Sequence, residues 1–283
     1  MRWLVPGAAI TTALAAALAT GAARDLPSRT SLAVDWHLAG KPAQGGLVFG
    51  TAPAGTVRLT LDGVGVRLAG DGRFVIGFGR NAMPVATLVA ELPGGVSVVE
   101  RVTVASRDWQ VEAIPSLAQS TTPDPEYDAR RAAELARIAA ARAGETDAAG
   151  WTQPFRWPTH GRIAGVYGSQ RILGGVPKSP HYGVDIAAPA GTPVAAPADG
   201  IVRFADGPLL LEGNLVLLDH GHGLASAFLH LSRIDVHAGD TVRSGEPLGT
   251  VGRTGRATGP HLHWGMTWGT VRVDPQLLVT GAP

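Results

Sequence analysis

Short apolar runs broken by glycine and proline constrain the fold of this 283-residue chain more than any other feature. Stretches such as AAPAGTPVAAPADGIVRFA and VHAGDTVRSGEPLGTVG place a turn signal every few residues. Helices of ordinary length need longer uninterrupted runs, whereas strands of about four to eight residues fit between such turns. With 38 Gly and 21 Pro in the chain, we expect a mainly β fold.

The region from residue 28 to residue 113 has the pattern of an antiparallel β structure. The stretch TVRLTLDGVGVRLAGDGRFVIGFG alternates apolar and polar residues and is interrupted at Asp62-Gly63 and at Asp71-Gly72. Asp-Gly pairs at a spacing of about ten residues indicate tight hairpin turns of a small sandwich. We therefore predict an immunoglobulin-like β-sandwich over residues 24–114.

Residues 115–150 differ in character from the flanking β regions. The stretch TTPDPEYDARRAAELARIAAARAG opens with prolines, continues with good helix formers and ends at Gly144. Tyr127, Leu135 and Ile138 lie near one stripe of the expected helix, and its arginines are expected on a solvated face. A linker helix between two β domains, residues 24–114 and 151–283, is the simplest interpretation.

Residues 1–23 have the features of a secretory signal peptide. Arg2 provides a positive start, an apolar run extends to Leu18, and small residues follow at positions 21–23. A membrane anchor is the alternative, but the apolar part is short and only mildly hydrophobic. We expect a cleaved signal, no stable membrane insertion after cleavage, and a periplasmic or secreted mature protein.

Charge and cysteine content exclude several classes of function. The formal net charge of +1 gives no support for a nucleic-acid partner. The chain contains no cysteine, so disulfides and thiolate metal sites are excluded. Any metal ion must therefore be held by nitrogen and oxygen ligands.

Two histidine motifs are placed to share one metal ion. His261 and His263 in GPHLHWG are two residues apart, so both project from the same face of a strand. His181 and Asp185 in SPHYGVDI are four apart and would share a face of an extended segment, and the intervening Gly183 leaves room. Two imidazoles and one carboxylate are the ligands of an open, catalytic zinc site. The spacing alone leaves open which histidine of the HLH pair is the ligand.

The segments HYGVDIAAPAGTPVAAPADGIV, AFLHLS and GDTVRSGEPLGTVGRTGRATGPHLHW resemble the lysostaphin-type metalloendopeptidases, which cut peptidoglycan cross-bridges. The resemblance extends from Phe155 to Pro275. It implies a duplicated-hybrid-motif β domain with a Zn²⁺ groove, and peptidoglycan peptide stems as the binding partner. It also assigns His181, Asp185 and His263 as zinc ligands. The same resemblance implies that His230 and His261 are the catalytic residues.

The resemblance implies that the two catalytic histidines orient water and transfer protons, because the chain has no glutamate base of the H-E-x-x-H type. Phe228 stands where many family members have tyrosine, so a hydroxyl group is missing there. Arg171, Arg253 and Arg256 lie in segments expected to wall the groove, where they could meet peptide carboxylates or remain solvated. The N-terminal region could position the enzyme or cover its groove.

Two other interpretations compete with that of an active peptidase. A non-hydrolytic activator or scaffold of the same fold is the alternative, but such a protein has no reason to keep all five site residues. A biotinyl or lipoyl carrier is excluded because the hairpin stretch VHAGDTVRSGEPLGTVG lacks lysine. His220 and His222 in LDHGHG are expected to be structural.

Overall fold

Strands dominate the computed structural model, which describes residues 35–114, 124–144 and 146–283. This confirms the predicted mainly β fold. The predicted signal peptide, residues 1–23, and the first part of the predicted linker, residues 115–123, lie outside the described residues. No helix in the described part of the chain is long and apolar enough to cross a membrane.

The N-terminal region consists of two small antiparallel sheets and one further strand. Its strands are β1 (His37–Gly40), β2 (Leu47–Thr51), β3 (Arg58–Leu61), β4 (Val64–Val66), β5 (Arg73–Gly77), β6 (Val85–Leu92), β7 (Val96–Thr103) and β8 (Val111–Ile114). One sheet has the order β1-β2-β5 and the other β4-β3-β6-β7. They share a core that includes Val48, Leu59, Phe74 and Leu88. The immunoglobulin-like assignment stays a prediction, as do the domain boundaries.

The Asp62-Gly63 pair forms the predicted hairpin turn between β3 and β4. Leu61 pairs with Val64, so the loop has two residues, and both have positive φ values of 48° and 83°. Such values define the turn that matches the right-handed twist of the paired strands. The side chain of Asp62 also accepts a hydrogen bond from the Thr87 N–H at 2.8 Å, which ties the turn to β6.

A single α-helix, α1 (Pro125–Arg142), follows Asp124, whose carboxylate caps the helix by accepting from the Tyr127 N–H. Its buried residues are Glu134 and Ile138, whereas Leu135 is exposed. The predicted stripe with Leu135 was therefore wrong. Glu134 is buried because its carboxylate accepts hydrogen bonds from the Leu210 N–H at 3.0 and 3.1 Å, which compensates for the lost water.

The rest of the chain is built around an eight-stranded sheet. The remaining strands are β9 (Arg162–Gly165), β10 (Gln170–Leu173), β11 (Val176–Pro177), β12 (Val184–Ala187), β13 (Pro193–Ala195), β14 (Gly200–Leu209), β15 (Gly213–Gly221), β16 (Leu224–Leu231), β17 (Arg233–Ile234), β18 (Thr241–Val242), β19 (Pro247–Thr250), β20 (His261–Trp268) and β21 (Val271–Val273). The large sheet has the order β18-β14-β15-β16-β20-β12-β9, and β21 pairs with β20.

The two faces of this sheet have different environments. In β20, Leu262, Trp264 and Met266 belong to the main hydrophobic core. Because successive side chains of a strand alternate, His261 and His263 lie on the opposite face. The helix α1 packs on that second face, where Ile138 joins a smaller cluster with Leu215, Leu217 and Ala227. The helix and the histidine pair therefore share one side of the sheet.

The N-terminal region contacts the large sheet directly. Leu47 and Val75 are part of the main core, and Arg107 forms an ion pair of 2.9 Å with the buried Asp274. In addition, β8 pairs in parallel with β10, so that Val111 lies opposite Gln170. The N-terminal strands are thus packed against the C-terminal ones rather than connected to them by the helix alone.

Candidate active site

Three adjacent strands bring most of the predicted site residues together. Asp185 in β12 lies directly opposite His263 in β20, so both side chains project from the same face. On the other side of β20, Leu229 in β16 lies opposite His263, and His230 follows it. His181 precedes β12 and lies outside the bounds of that strand, and its backbone bonds to residues 168 and 169.

The side chains of His181, Asp185 and His263 converge on one point, and we call them the metal-ligand cluster. Nε2 of His181 lies 3.0 Å from Oδ1 of Asp185 and 2.9 Å from Nδ1 of His263. Nδ1 of His263 lies 2.9 Å from the same carboxylate oxygen. Two imidazole nitrogens and one carboxylate oxygen thus form a triangle small enough to bind a single ion.

The hydrogen bonds of His181 select its ligating nitrogen. Its Nδ1 lies 3.0 Å from the carbonyl oxygen of Val166, and a carbonyl can only accept, so Nδ1 carries the proton. In the neutral ring, Nε2 is therefore left with a lone pair that faces the cluster. A backbone carbonyl that orients a histidine in this way is typical of metal sites. The donor set fits Zn²⁺.

The carboxylate of Asp185 is held in its charged form. Burial alone would raise its pKa, but the close contacts with His181 and His263 and their positive charges together outweigh burial and keep the pKa of Asp185 well below its usual range. For His263, burial lowers the pKa more than Asp185 raises it, which favours a neutral ring. For His181, burial lowers the pKa, but the bond to Asp185, the negative charge of Asp185 and the bond to the Val166 carbonyl together outweigh burial and raise the pKa.

Two glycines make room for the cluster. A Cβ atom on Gly183 would lie 2.6 Å from Nε2 of His263 and 2.6 Å from the carbonyl oxygen of Trp264. A Cβ atom on Gly165 would lie 2.4 Å from Oδ2 of Asp185. Neither glycine has a positive φ, so each is needed here for space and not for its backbone conformation.

His230 reaches the site through an irregularity of β16. Asn214 pairs with Leu231 and Val216 with Phe228, so β16 has one extra residue at this point, and His230 has a φ of 66°. Such a bulge redirects a side chain. Nδ1 of His230 bonds to the carbonyl oxygen of Thr254 at 2.8 Å, which leaves Nε2 as an acceptor. Burial, together with the charges of His261 and His263, lowers the pKa of His230 to about 4.

His261 stands between His230 and the metal-ligand cluster. Its Nδ1 bonds to the carbonyl oxygen of Gly259 at 2.9 Å, and its Nε2 lies 3.8 Å from Oδ1 of Asp185. The rings of His230 and His261 are 4.8 Å apart. Both histidines therefore have Nδ1 bonded to a backbone carbonyl, and neither belongs to the triangle of ligand atoms.

The site opens into a cavity of about 1590 Å³. Its lining includes five basic residues, Arg162, Arg171, Lys178, Arg256 and Arg272, against two acidic ones, Glu112 and Asp185. Arg171 and Arg256 thus lie where the sequence predicted, although Arg171 also pairs with Glu112 at 3.1 Å. Arg253 is exposed and does not line the cavity.

Sequence reasoning missed several contributors to the site. The carbonyl groups of Val166, Thr254 and Gly259 select the histidine tautomers, and Arg272 lines the cavity from β21. A carbonyl leaves no residue-specific signal. Arg272 belongs to none of the histidine motifs, and only its pairing opposite Thr267 places it on this face.

The other histidines of the LDHGHG stretch have structural contacts, as expected. His220 is fully buried; Nδ1 bonds to the carbonyl oxygen of Asp199 and Nε2 to Oγ of Ser226, both at 2.8 Å. Ser226 also accepts from Nε1 of Trp264 at 3.2 Å. His222 stacks on Trp151 with 4.1 Å between ring centroids.

Comparisons with known proteins agree with this geometry. Residues 179–275 match the model of "Peptidase family M23". Over 84 residues, 30% of the chain, it is 49% identical to the DD-carboxypeptidase/endopeptidase Mpg of Neisseria meningitidis, of which it covers 19%. Over 105 residues, 37% of the chain, it is 40% identical to the peptidoglycan DD-endopeptidase ShyA of Vibrio cholerae, of which it covers 22%. The matches thus span about a fifth of these curated relatives.

One solved structure matches over a much larger share of both chains than these relatives do. A putative peptidase M23 from Pseudomonas aeruginosa is 31% identical, with a TM-score of 0.63. The match covers 84% of this chain and 95% of the other. Both the sequence similarity and the fold therefore include the N-terminal strands as well as the metal-ligand cluster. The chain belongs to peptidase family M23, the lysostaphin-type family that its histidine motifs predicted.

Proposed function

We propose that this protein is a zinc-dependent endopeptidase that hydrolyses peptide cross-links of bacterial peptidoglycan. The observation that carries the proposal is the convergence of Nε2 of His181, Oδ1 of Asp185 and Nδ1 of His263 beside two further histidines. Two relatives of the same family have names that include endopeptidase, and one of them is named for peptidoglycan.

Zinc fits the cluster because two neutral imidazoles and a carboxylate are its usual catalytic ligands. When bound, it supplies Lewis-acid polarisation of a carbonyl group and makes water more acidic. Asp185 contributes the single negative charge of the ligand set, so a bound Zn²⁺ would keep a net positive charge. The tautomer of His181, selected by Val166, keeps Nε2 available as a ligand.

His230 and His261 carry out the proton transfers in this proposal. Each has Nδ1 committed to a backbone carbonyl, so only Nε2 is free to exchange a proton. His230 is neutral near pH 7, because its pKa is lowered to about 4, and a neutral imidazole can accept a proton from attacking water. The histidine that accepted this proton then delivers it to the leaving amine, so that the proton taken from water ends on the product.

The charge of the cavity supports an acidic peptide as substrate. Its five basic residues exceed its two acidic ones, and stem peptides of peptidoglycan carry free carboxylates. Such a substrate lies outside the cytoplasm, in accord with the signal peptide predicted for residues 1–23. A periplasmic or secreted location is part of the proposal.

Digestion of purified peptidoglycan sacculi by the mature protein tests the proposal, with products separated by mass. We expect loss of cross-linked dimers, abolition of this loss by a chelator and its recovery with zinc. The His261→Ala variant is the matched control, since it removes a catalytic histidine and leaves the three ligands. If zinc-loaded protein releases nothing from sacculi, the proposal is wrong, and a non-hydrolytic scaffold becomes the better interpretation.

A further inference from the structure

A second cavity, of about 490 Å³, lies on the same face of the large sheet as the metal-ligand cluster. Gly265 and Thr267, which line it, continue the alternation of His261 and His263 along β20. Small or apolar side chains of neighbouring strands, including Leu217, Ala225 and Ala227, also line it. The C-terminal turn of α1 completes the lining. We call this space the arginine cavity, after Arg142, Arg203 and Arg272 in its lining.

These three arginines come from three different elements, α1, β14 and β21. Within the described residues, none of their side chains makes a hydrogen bond or an ion pair. Other arginines of α1 behave differently: Arg131, for example, forms two bonds of 2.7 and 2.8 Å with Glu212. Within that part of the chain, the three arginines of the cavity thus lack an acidic partner: Arg142 and Arg272 are exposed, Arg203 is half-buried, and the Arg272 guanidinium lies 5.9 Å from the centroid of the Tyr182 ring.

The acidic residue in the lining is already engaged. Oδ1 of Asp219 accepts from the Gly221 N–H at 2.8 Å, and Oδ2 accepts from Oγ1 of Thr146 at 2.9 Å. Asp219 therefore makes no ion pair with the guanidinium groups. A favourable position of Arg142 at the C-terminal end of the helix dipole accounts for one arginine, but not for Arg203 and Arg272.

Two of these positive charges, those of Arg142 and Arg272, are held close enough for one to affect the other. Partial loss of water, reinforced by the charge of Arg272, lowers the pKa of Arg142 to about 10. Loss of water also lowers the pKa of Arg272. An anion bound between these groups would relieve the repulsion between Arg142 and Arg272, so the cavity favours a negatively charged ligand.

Arg272 connects the arginine cavity with the candidate active site, because it lines both cavities. A peptide bound at the metal-ligand cluster can therefore extend along β20 and reach the arginine cavity. Peptide anions are carboxylates, and arginine binds them in a planar, two-pronged geometry. The small, apolar part of the lining suits a short aliphatic side chain that ends in such a group.

We propose that Arg142, Arg203 and Arg272 form a subsite that binds a substrate carboxylate remote from the scissile peptide bond. This inference rests on the proposed function. It assigns a substrate preference to residues that lie outside the histidine motifs. It also gives the C-terminal end of α1 a role in binding substrate.

The kinetic test uses two cross-linked muropeptide dimers that differ only in whether their stem carboxylates are free or amidated. We expect the zinc-loaded wild-type protein to prefer the free acid by about tenfold in kcat/KM, mainly through KM. Arg203→Gln and Arg142→Gln should each reduce this preference towards unity. Arg101→Gln, a change of an exposed arginine in β7, is the matched control and should keep it. A wild-type protein without the preference, or Gln variants that retain it, would overturn the subsite.

A binding measurement separates this inference from the proposed function. If the wild-type protein cleaves neither dimer, the proposed function fails, and the subsite is then tested by NMR of the arginine Nε–Hε groups. The free-acid dimer should shift signals that are lost in the Arg203→Gln variant, and the amidated dimer should not. Absence of these shifts contradicts the subsite. Equal shifts with inorganic phosphate at the same concentration also contradict it, since the cavity would then bind any anion.

Discussion

Nε2 of His181 lies 2.9 Å from Nδ1 of His263, although 82 residues separate them in the chain. Both nitrogens face the same carboxylate oxygen of Asp185. Electron-rich atoms at this separation repel each other unless a proton or a cation lies between them. The arrangement therefore supports the proposal that His181 and His263 bind a cation together with Asp185, whereas His230 and His261 carry out the proton transfers.

Alanine substitutions should distinguish the proposed metal ligands from the proposed catalytic histidines. We expect His181→Ala to lose zinc, measured by elemental analysis of the purified protein. We expect His261→Ala and His230→Ala to retain zinc stoichiometrically while hydrolysis falls about a hundredfold or more. Loss of zinc from the His261→Ala protein, with hydrolysis retained, would show that the roles of the two histidines in the HLH pair are reversed.

Gly183→Ala should weaken zinc binding without unfolding the protein. The new Cβ would lie 2.6 Å from Nε2 of His263 and 2.6 Å from the carbonyl oxygen of Trp264, so the ring and the local backbone of β20 must both shift, although φ at this position suits alanine. Displaced ligands or their supporting contacts typically cost about 10- to 100-fold in metal affinity, and competition with a chromophoric chelator measures this loss. Gly65→Ala is the matched control, because its Cβ would meet nothing within 4 Å. Equal zinc affinity of the two variants would contradict the steric argument.

The pH dependence of stability should reflect His220. Burial lowers the pKa of His220 to about 4 from its ordinary 6.5, so between these pH values the unfolded chain binds more protons than the folded one. The free energy of unfolding should therefore decrease as the pH falls from 6.5 to 4, and His220 should contribute about 3 kcal/mol of this decrease at most, in addition to the contribution of His230.

Urea titrations at several pH values measure this decrease. The His220→Gln variant should be less stable near pH 7, because it disrupts the bonds to Asp199 and Ser226, but its stability should depend less on pH. His237→Gln is the control, since the side chain of His237 is 92% exposed. An unchanged pH slope in the His220→Gln variant would exclude His220 as the cause.

Glu134 should contribute to stability, although a charged residue is unusual on the buried face of a helix. Its buried carboxylate accepts from the Leu210 N–H and from Arg130. Removing it in Glu134→Ala leaves the half-buried Leu210 N–H without its partner, which should reduce the free energy of unfolding by about 1 kcal/mol. Leu135→Ala, at an exposed neighbouring position, should change it much less. Similar losses for both variants in chemical denaturation would contradict this account.

The parts of the site that could be predicted are those set by strand alternation. His261 and His263 share a face because β20 is a regular strand, and Asp185 joins them because β12 lies beside it. His230 could be assigned only by family resemblance. Its direction depends on a bulge and a positive φ, and neither has a residue pattern of its own.

The fold was predictable to a similar degree. Asp-Gly pairs located the turn between β3 and β4 because that turn requires positive φ. The burial of Glu134 in place of Leu135 was not predictable. It depends on the Leu210 N–H, a backbone donor 76 residues away. The parallel pairing of β8 with β10 is equally non-local.

The pairing of β8 with β10 also has a consequence for protein engineering. Val111 and Glu112 of β8 line the cavity of the metal-ligand cluster, which is therefore built from two distant stretches of the chain. A chimera that grafts residues 151–283 onto a foreign targeting module would carry all five histidine and aspartate positions but lack part of the cavity wall. Directed evolution of substrate range in this protein should therefore randomise β8 together with the loops around His181.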